Sequence, residues 1–133
     1  MKAIVAYFAA GVVMFALDAI WLSSMGAVYR QHLGSMLLDG FRPVPAALFY
    51  LMYVAGIVVL AVMPALREGD DWRMAAFYGA VLGFIAYGTY DLTNYATMKV
   101  WSAKITIIDM LWGAAVTALS STAAFLAVRR FLS

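Results

Sequence analysis

Four stretches of this chain, residues 3–24, 45–66, 74–98 and 105–128, are apolar throughout, and none contains more than one charged residue. Each is long enough for a helix to cross a bilayer, which takes about 20 residues. Strands of a membrane barrel would instead appear as ~10-residue segments of alternating polarity, so the spacing predicts helices. In lipid a helix also pairs its own backbone groups. Composition agrees: 66% of residues are hydrophobic and only 12% are charged, about half the usual charged share of ~25%. That is too little polar surface for a small soluble domain. The chain has no cysteine, which excludes disulfides, a thiol nucleophile and a thiolate-ligated metal or cluster. A net charge of +2 without a basic patch gives no footprint for nucleic acid.

The expected architecture is all-α: an up-down bundle of four transmembrane helices in one domain spanning residues 1–133. Short links at 67–73 and 99–104 make successive helices antiparallel neighbours. The longer loop, 25–44, carries Tyr29, Leu33, Met36 and Leu37 at helical spacing. This predicts a short interfacial helix ending before Gly40. Lys2 before an apolar run invites a signal-peptide reading, but Asp18 within the run and the lack of a clear cleavage site favour a retained helix. Pro64 is expected to kink or end the second helix. Calling the N-terminal side A and the other side B, side A holds Lys2, Arg67, Arg73, Arg129 and Arg130. Side B holds Arg30, Arg42, Lys99 and Lys104. The slight excess on side A predicts cytoplasmic termini.

Three aspartates lie inside the spans. At 1.5 Å per residue, Asp18 sits about 22 Å and Asp91 about 26 Å from side A, while Asp109 sits about 6 Å from side B. All three therefore approach side B, each on a different helix. An aspartate in a span is unfavourable by up to ~2.5–3.5 kcal/mol and normally faces the bundle interior or a wet cavity. Two readings are open: a polar chamber with a function, or three structural hydrogen-bond partners, Asp109 also meeting the positive end of its helix dipole.

Helical spacing groups further residues with these acids. Tyr7, Gly11, Met14, Asp18 and Trp21 share one face of the first helix. Phe84, Tyr87, Gly88, Asp91, Asn94 and Tyr95 are expected on one face of the third, and Asp109, Trp112, Gly113, Thr117 and Ser120 on one face of the fourth. The second helix contributes Phe49, Tyr50 and Tyr53 near side B. Convergence of Trp21, Tyr50, Tyr87, Tyr90 and Trp112 would make an aromatic pocket with carboxylates at its base. The competing account is the interfacial aromatic belt, which suits Trp72 and Trp101. Gly79 and Gly83, four apart, predict a close-packing surface.

The run Tyr87-Gly88-Thr89-Tyr90-Asp91-Leu92-Thr93-Asn94, followed by Trp101 and by Asp109-x-x-Trp112-Gly113, resembles the small bacterial membrane proteins grouped as domain of unknown function 2177. Asp18-Ala19-Ile20-Trp21-Leu22 and Phe49-Tyr50-x-x-Tyr53-x-x-Gly56 extend the resemblance over nearly the whole chain. It implies four helices in a bacterial cytoplasmic membrane and supplies no reaction.

From the residues, the leading expectation is a site for a lipid or other lipophilic small molecule, with catalysis left open. Asp91, Asp18 and Asp109 are the acid/base candidates. Trp21, Tyr50, Tyr53, Tyr87, Tyr90, Asn94 and Trp112 are the ligand-binding candidates. Membrane lipids are expected partners, self-association is open, and no cofactor is expected. A proton-coupled exporter centred on Asp18, or an accessory subunit of a larger complex, are the alternatives. An oxygen-rich metal site from the three aspartates and His32 is disfavoured because no two-residue ligand spacing occurs.

Overall fold

The structure, a computed structural model, describes residues 1–34 and 42–132. Its long helices are α1 (Lys2–Leu33), α2 (Pro43–Glu68), α3 (Trp72–Thr97) and α4 (Ala103–Leu132), and the described residues contain no strand. Three of them, α1, α2 and α4, are long and apolar enough to cross a membrane. The 26-residue α3 matches them in length, but its second half, YGTYDLTNYAT, dilutes its apolar character. Four apolar spans were expected; the polar content that marks α3 for a site also weakens it as a membrane signal.

Helix α1 overturns one expectation. Nothing between residues 25 and 33 breaks it, and it runs for 32 residues, about 48 Å at 1.5 Å rise. Tyr29 and Leu33 therefore continue the first helix instead of opening an interfacial one, and Leu33 is buried. Met36 and Leu37 lie outside the described residues.

Helix α2 continues through Pro64 to Glu68. It does so by widening: Val58–Val62 form a π turn, and the Met63 N–H reaches back to the Val58 carbonyl. A proline ring collides with the carbonyl four residues earlier in an α-helix, and a wider turn just before Pro64 gives that carbonyl room.

The chain turns tightly into α3 at residues 69–71. Asp70 takes the left-handed conformation at φ 51°, which aspartate tolerates better than most residues. Asp71 Oδ1 caps α3 by accepting from the Arg73 N–H at 3.0 Å, and Ser102 Oγ does the same for the Ile105 N–H of α4 at 3.0 Å.

Helix α4 is central, packing along both α3 and α1. The α3–α4 contact rests on small residues, as the glycine spacing predicted. A β-carbon at Gly79 would stand 2.5 Å from Ser121 Oγ and 2.7 Å from the Thr117 carbonyl, and one at Gly83 would run into the Gly113 carbonyl. Helix α2 meets α3 through the wide turn, while its N-terminal half lies mainly against α1. The bundle is thus closed on side A and parted between α2 and α3 on side B.

Candidate functional site: an acidic and aromatic cluster at one end of the bundle

The polar face of α1 points inward because Met14, Asp18 and Trp21 follow one another at helical spacing. Asp18 is held from two other helices: Tyr50 of α2 donates its hydroxyl to Oδ2, and Trp112 of α4 donates Nε1–H to Oδ1 at 3.0 Å. The Trp112 ring stacks on Trp21 with centroids 4.3 Å apart and planes within 8°. Trp21 Nε1–H donates to the Tyr29 hydroxyl at 3.1 Å, and that hydroxyl donates to Asp109 Oδ1 at 2.7 Å. Asp18, Trp21, Tyr29, Tyr50, Asp109 and Trp112 thus form one network that ties α1, α2 and α4 together. Tyr53, also on α2, is hydrogen-bonded to Thr117 Oγ1 of α4 at 2.8 Å and sits edge-on to Tyr87 of α3.

Asp91 differs. Its side chain is 0% exposed, and neither carboxylate oxygen has a hydrogen-bond partner. The group facing it is the Asp109 carboxyl, within hydrogen-bonding reach. One proton shared between the two carboxyls is enough to pair them.

Beside this pair opens a cleft of about 320 Å³, lined by Phe49, Ala86, Tyr87, Tyr90 and Asp109. Its walls are aromatic and its polar end is the carboxylate. Its lining comes from α2, α3 and α4. Phe49 stacks on Tyr53, with centroids 5.1 Å apart, while Tyr90 meets Trp101 edge-to-face at 5.5 Å and has Asn94 beside its hydroxyl.

The three aspartates, Trp21, Tyr50, Tyr53, Tyr87, Tyr90, Asn94 and Trp112 therefore gather at the same end of the bundle, in two subsets. Asp18, Trp21, Tyr50 and Trp112 are occupied with one another. Asp109, Tyr87 and Tyr90 border the cleft, and Asp91 is buried behind Asp109. Phe84 and Tyr95, expected on the Asp91 face, are 47% and 49% exposed. The buried face of α3 follows Ala75, Gly79, Gly83, Gly88 and Asp91, and the demand for small residues against α4 sets that line. His32 turns back to its own helix, with Nδ1 2.9 Å from the Val28 carbonyl. Among the described residues no group of three His, Asp or Glu side chains is placed to hold a metal ion.

Two residues escaped the sequence reading of the site, Tyr29 of the hydrogen-bond network and Ala86 of the cleft. Tyr29 sits at 3, 4 and 4 residue steps from Asp18 through Trp21 and Met25, a signal visible once α1 is allowed to run on. Ala86 carries no chemical signal, since its contribution is the space it leaves.

An all-helical membrane protein with a polar and aromatic cluster inside its apolar bundle is the class these features define. The chain belongs to the family described as predicted membrane protein, DUF2177, whose sequence profile matches residues 3–126. No curated protein and no solved structure matches it.

Proposed function

We propose that the chain crosses a bacterial cytoplasmic membrane four times, with both termini in the cytoplasm, and binds a lipid or other lipophilic small molecule in the cleft between α2 and α3. The fourth crossing is supported by the way α3 packs. It lies along α4 and against the wide turn of α2, and its connections to them span only residues 69–71 and 98–102. A helix of 26 residues held this way, about 39 Å long, runs the full depth of its neighbours. Parity makes this testable. Four crossings leave the two termini on one side, whereas three leave them on opposite sides. A fluorescent-protein fusion at the C-terminus and a cytoplasm-excluded reporter at each link are expected to place Ser133 in the cytoplasm with Lys2, and opposite locations would overturn the four-span reading.

The observation that carries the binding reading is the cleft: aromatic walls and a carboxylate at one end, within an apolar helical bundle. Ligand sites are typically apolar concavities with a few placed polar groups. An exporter built on Asp18 has less support, because two donors already hold that carboxylate in place. The test fills the space. Ala86→Trp puts an indole into the cleft from α3 without touching the Asp18 network. Native mass spectrometry of protein released from bacterial membranes is expected to show a retained lipophile on the wild type and at least about a tenfold loss on the variant, given a lost pocket worth 1.4 kcal/mol or more. Equal retention by both, or none by either, would sink the proposal.

A further inference from the structure

We propose that Asp91 and Asp109 form a proton-binding site. One proton shared between the two carboxyls locks the side-B end of α3 to α4, and its loss sets two negative charges against each other across that contact. The site goes beyond the cleft-binding reading and does not depend on it, since the proton is held with or without a ligand.

Three observations carry it. Asp91 is completely buried, and no donor reaches either of its oxygens, although nearly every buried polar side chain in a folded protein is hydrogen-bonded. The group within bonding reach is a second carboxyl, Asp109, and two carboxylates have only acceptors to offer each other. A single proton resolves this: it makes Asp91 an O–H donor and Asp109 its charged acceptor, which is the short and strong kind of hydrogen bond. Asp109 also accepts from the Tyr29 hydroxyl at 2.7 Å, which favours the negative charge there. The third observation is the close helix approach. Gly88, one turn before Asp91, lies against Met110, whose methyl would stand 2.8 Å from an added β-carbon. The backbones that carry the two acids are therefore held together beside them.

The groups around the pair do not replace that proton. From α1, Tyr29 gives its hydroxyl hydrogen to Asp109. From α3, Tyr87 faces Asp109 and Tyr90 faces both acids. The phenols of α2, Tyr50 and Tyr53, lie on the far side of Tyr87, as does Asp18. Free phenols ionise only near pH ~10. Arg30, the residue after Tyr29, has an interaction of its own. A guanidinium on Asp109 would not change the count, because Asp91 would still need the proton to bond its neighbour. Deprotonation leaves two like charges side by side, one of them buried without a donor, which is strongly unfavourable. Asp109 borders the cleft, which gives the proton a way in and out that buried Asp91 lacks.

The experiment uses the whole protein in dodecyl maltoside, a detergent with no carbonyl group of its own. Infrared spectroscopy sees a protonated carboxyl through a carbonyl stretch distinct from those of carboxylates and amides. At neutral pH the wild type is expected to show this band and to lose it in alkali. Asp91→Asn is expected to fold, because its amide donates to Asp109 in place of the proton, and to lack the band throughout. Asp109→Asn keeps acceptors for Tyr29 and for the Asp91 proton, so its band should persist at a shifted frequency. Unfolding by dodecyl sulfate from about pH 5 to about pH 8 gives the second readout. Relative to Asp91→Asn, the folded-to-unfolded ratio of the wild type is expected to fall by up to about tenfold per pH unit as pH rises. That is the slope for one proton held by the folded chain and already released by the unfolded one. His32 titrates in this range as well, but both proteins carry it and the comparison cancels it. A wild type without the band at neutral pH, the same band in both variants, or stabilities that run parallel with pH would each overturn the proton site.

Discussion

Gly83→Ala is expected to destabilise the bundle by roughly 1–3 kcal/mol, the range for a methyl forced into a packed interior. Its added carbon would meet the Gly113 carbonyl, which belongs to backbone and has no rotamer to retreat into, and Thr117 Oγ1 at 2.6 Å. Relief requires α3 and α4 to move apart, and that separation would loosen the largest helix contact in the protein. Gly113→Ala acts at the same crossing from the other side, running into the Tyr87 ring, and is expected to displace a cleft wall as well. Gly56→Ala is the control. Nothing lies within 4 Å of the carbon it adds, and alanine in a helix interior gains about 0.5–1 kcal/mol over glycine. The unfolding midpoint of detergent-solubilised protein should therefore fall for Gly83→Ala and hold or rise for Gly56→Ala. If the two shift alike, the close helix approach is not what holds α3 to α4.

The second large effect is a contrast of sign between two aspartates. Asp18→Ala strips the acceptor from both the Tyr50 hydroxyl and the Trp112 Nε1–H. A donor left unsatisfied away from water costs about 1–3 kcal/mol, so the pair, both half-buried, gives an expected loss of roughly 2–4 kcal/mol by the same rule. The Trp21–Trp112 stack should loosen too, and tryptophan fluorescence would report it. Asp91→Asn removes a buried acid and offers an amide N–H to Asp109, so it is expected to gain up to about 1.5–3 kcal/mol, the range for a hydrogen bond to a charged group. Sites that bind ligands often carry such local cost. Equal destabilisation by both variants would mean that Asp91 is a structural partner like Asp18.

Much of this was legible in the sequence, for physical reasons that differ by element. The apolar lengths gave the helices, because lipid accepts little else. Depth arithmetic brought Asp18, Asp91 and Asp109 to one end, because rise per residue is fixed. Gly79 and Gly83 announced a tight crossing. What the sequence left open is which acid has partners. Asp18 and Asp91 look alike in a helical projection; only the positions of Tyr50 and Trp112 on other helices separate them. Phe84 and Tyr95 were assigned to the wrong face because spacing gives an angle, and an angle of uncertain origin rotates a whole helix. The run of α1 to Leu33 was hidden by its own composition: past Ser24 it turns polar, which reads as a loop although no residue there stops a helix. The cleft was legible in part: Tyr87, Tyr90 and Asp109 line it as expected, whereas Trp21, Tyr50 and Trp112 stand outside its lining and Ala86, which gives it space, carries no signal.

The wide turn in α2 has a consequence for which way that helix faces. Its buried residues, Tyr53, Val54, Ile57, Val58, Ala61, Val62 and Ala65, recur every four positions. In a regular helix of 3.6 residues per turn, a four-residue step drifts by about 40°, and three steps from Tyr53 to Ala65 drift by about 120°. One extra residue taken up in a π turn returns about 100° of that. Val58–Val62 therefore act as a phase correction that keeps one stripe turned inward from the cleft to the Pro64 end. A straight α2 of this sequence would turn either Tyr53 or Ala65 out of the inward stripe, and one residue more or fewer in that turn would swing the aromatic wall round by about 100°.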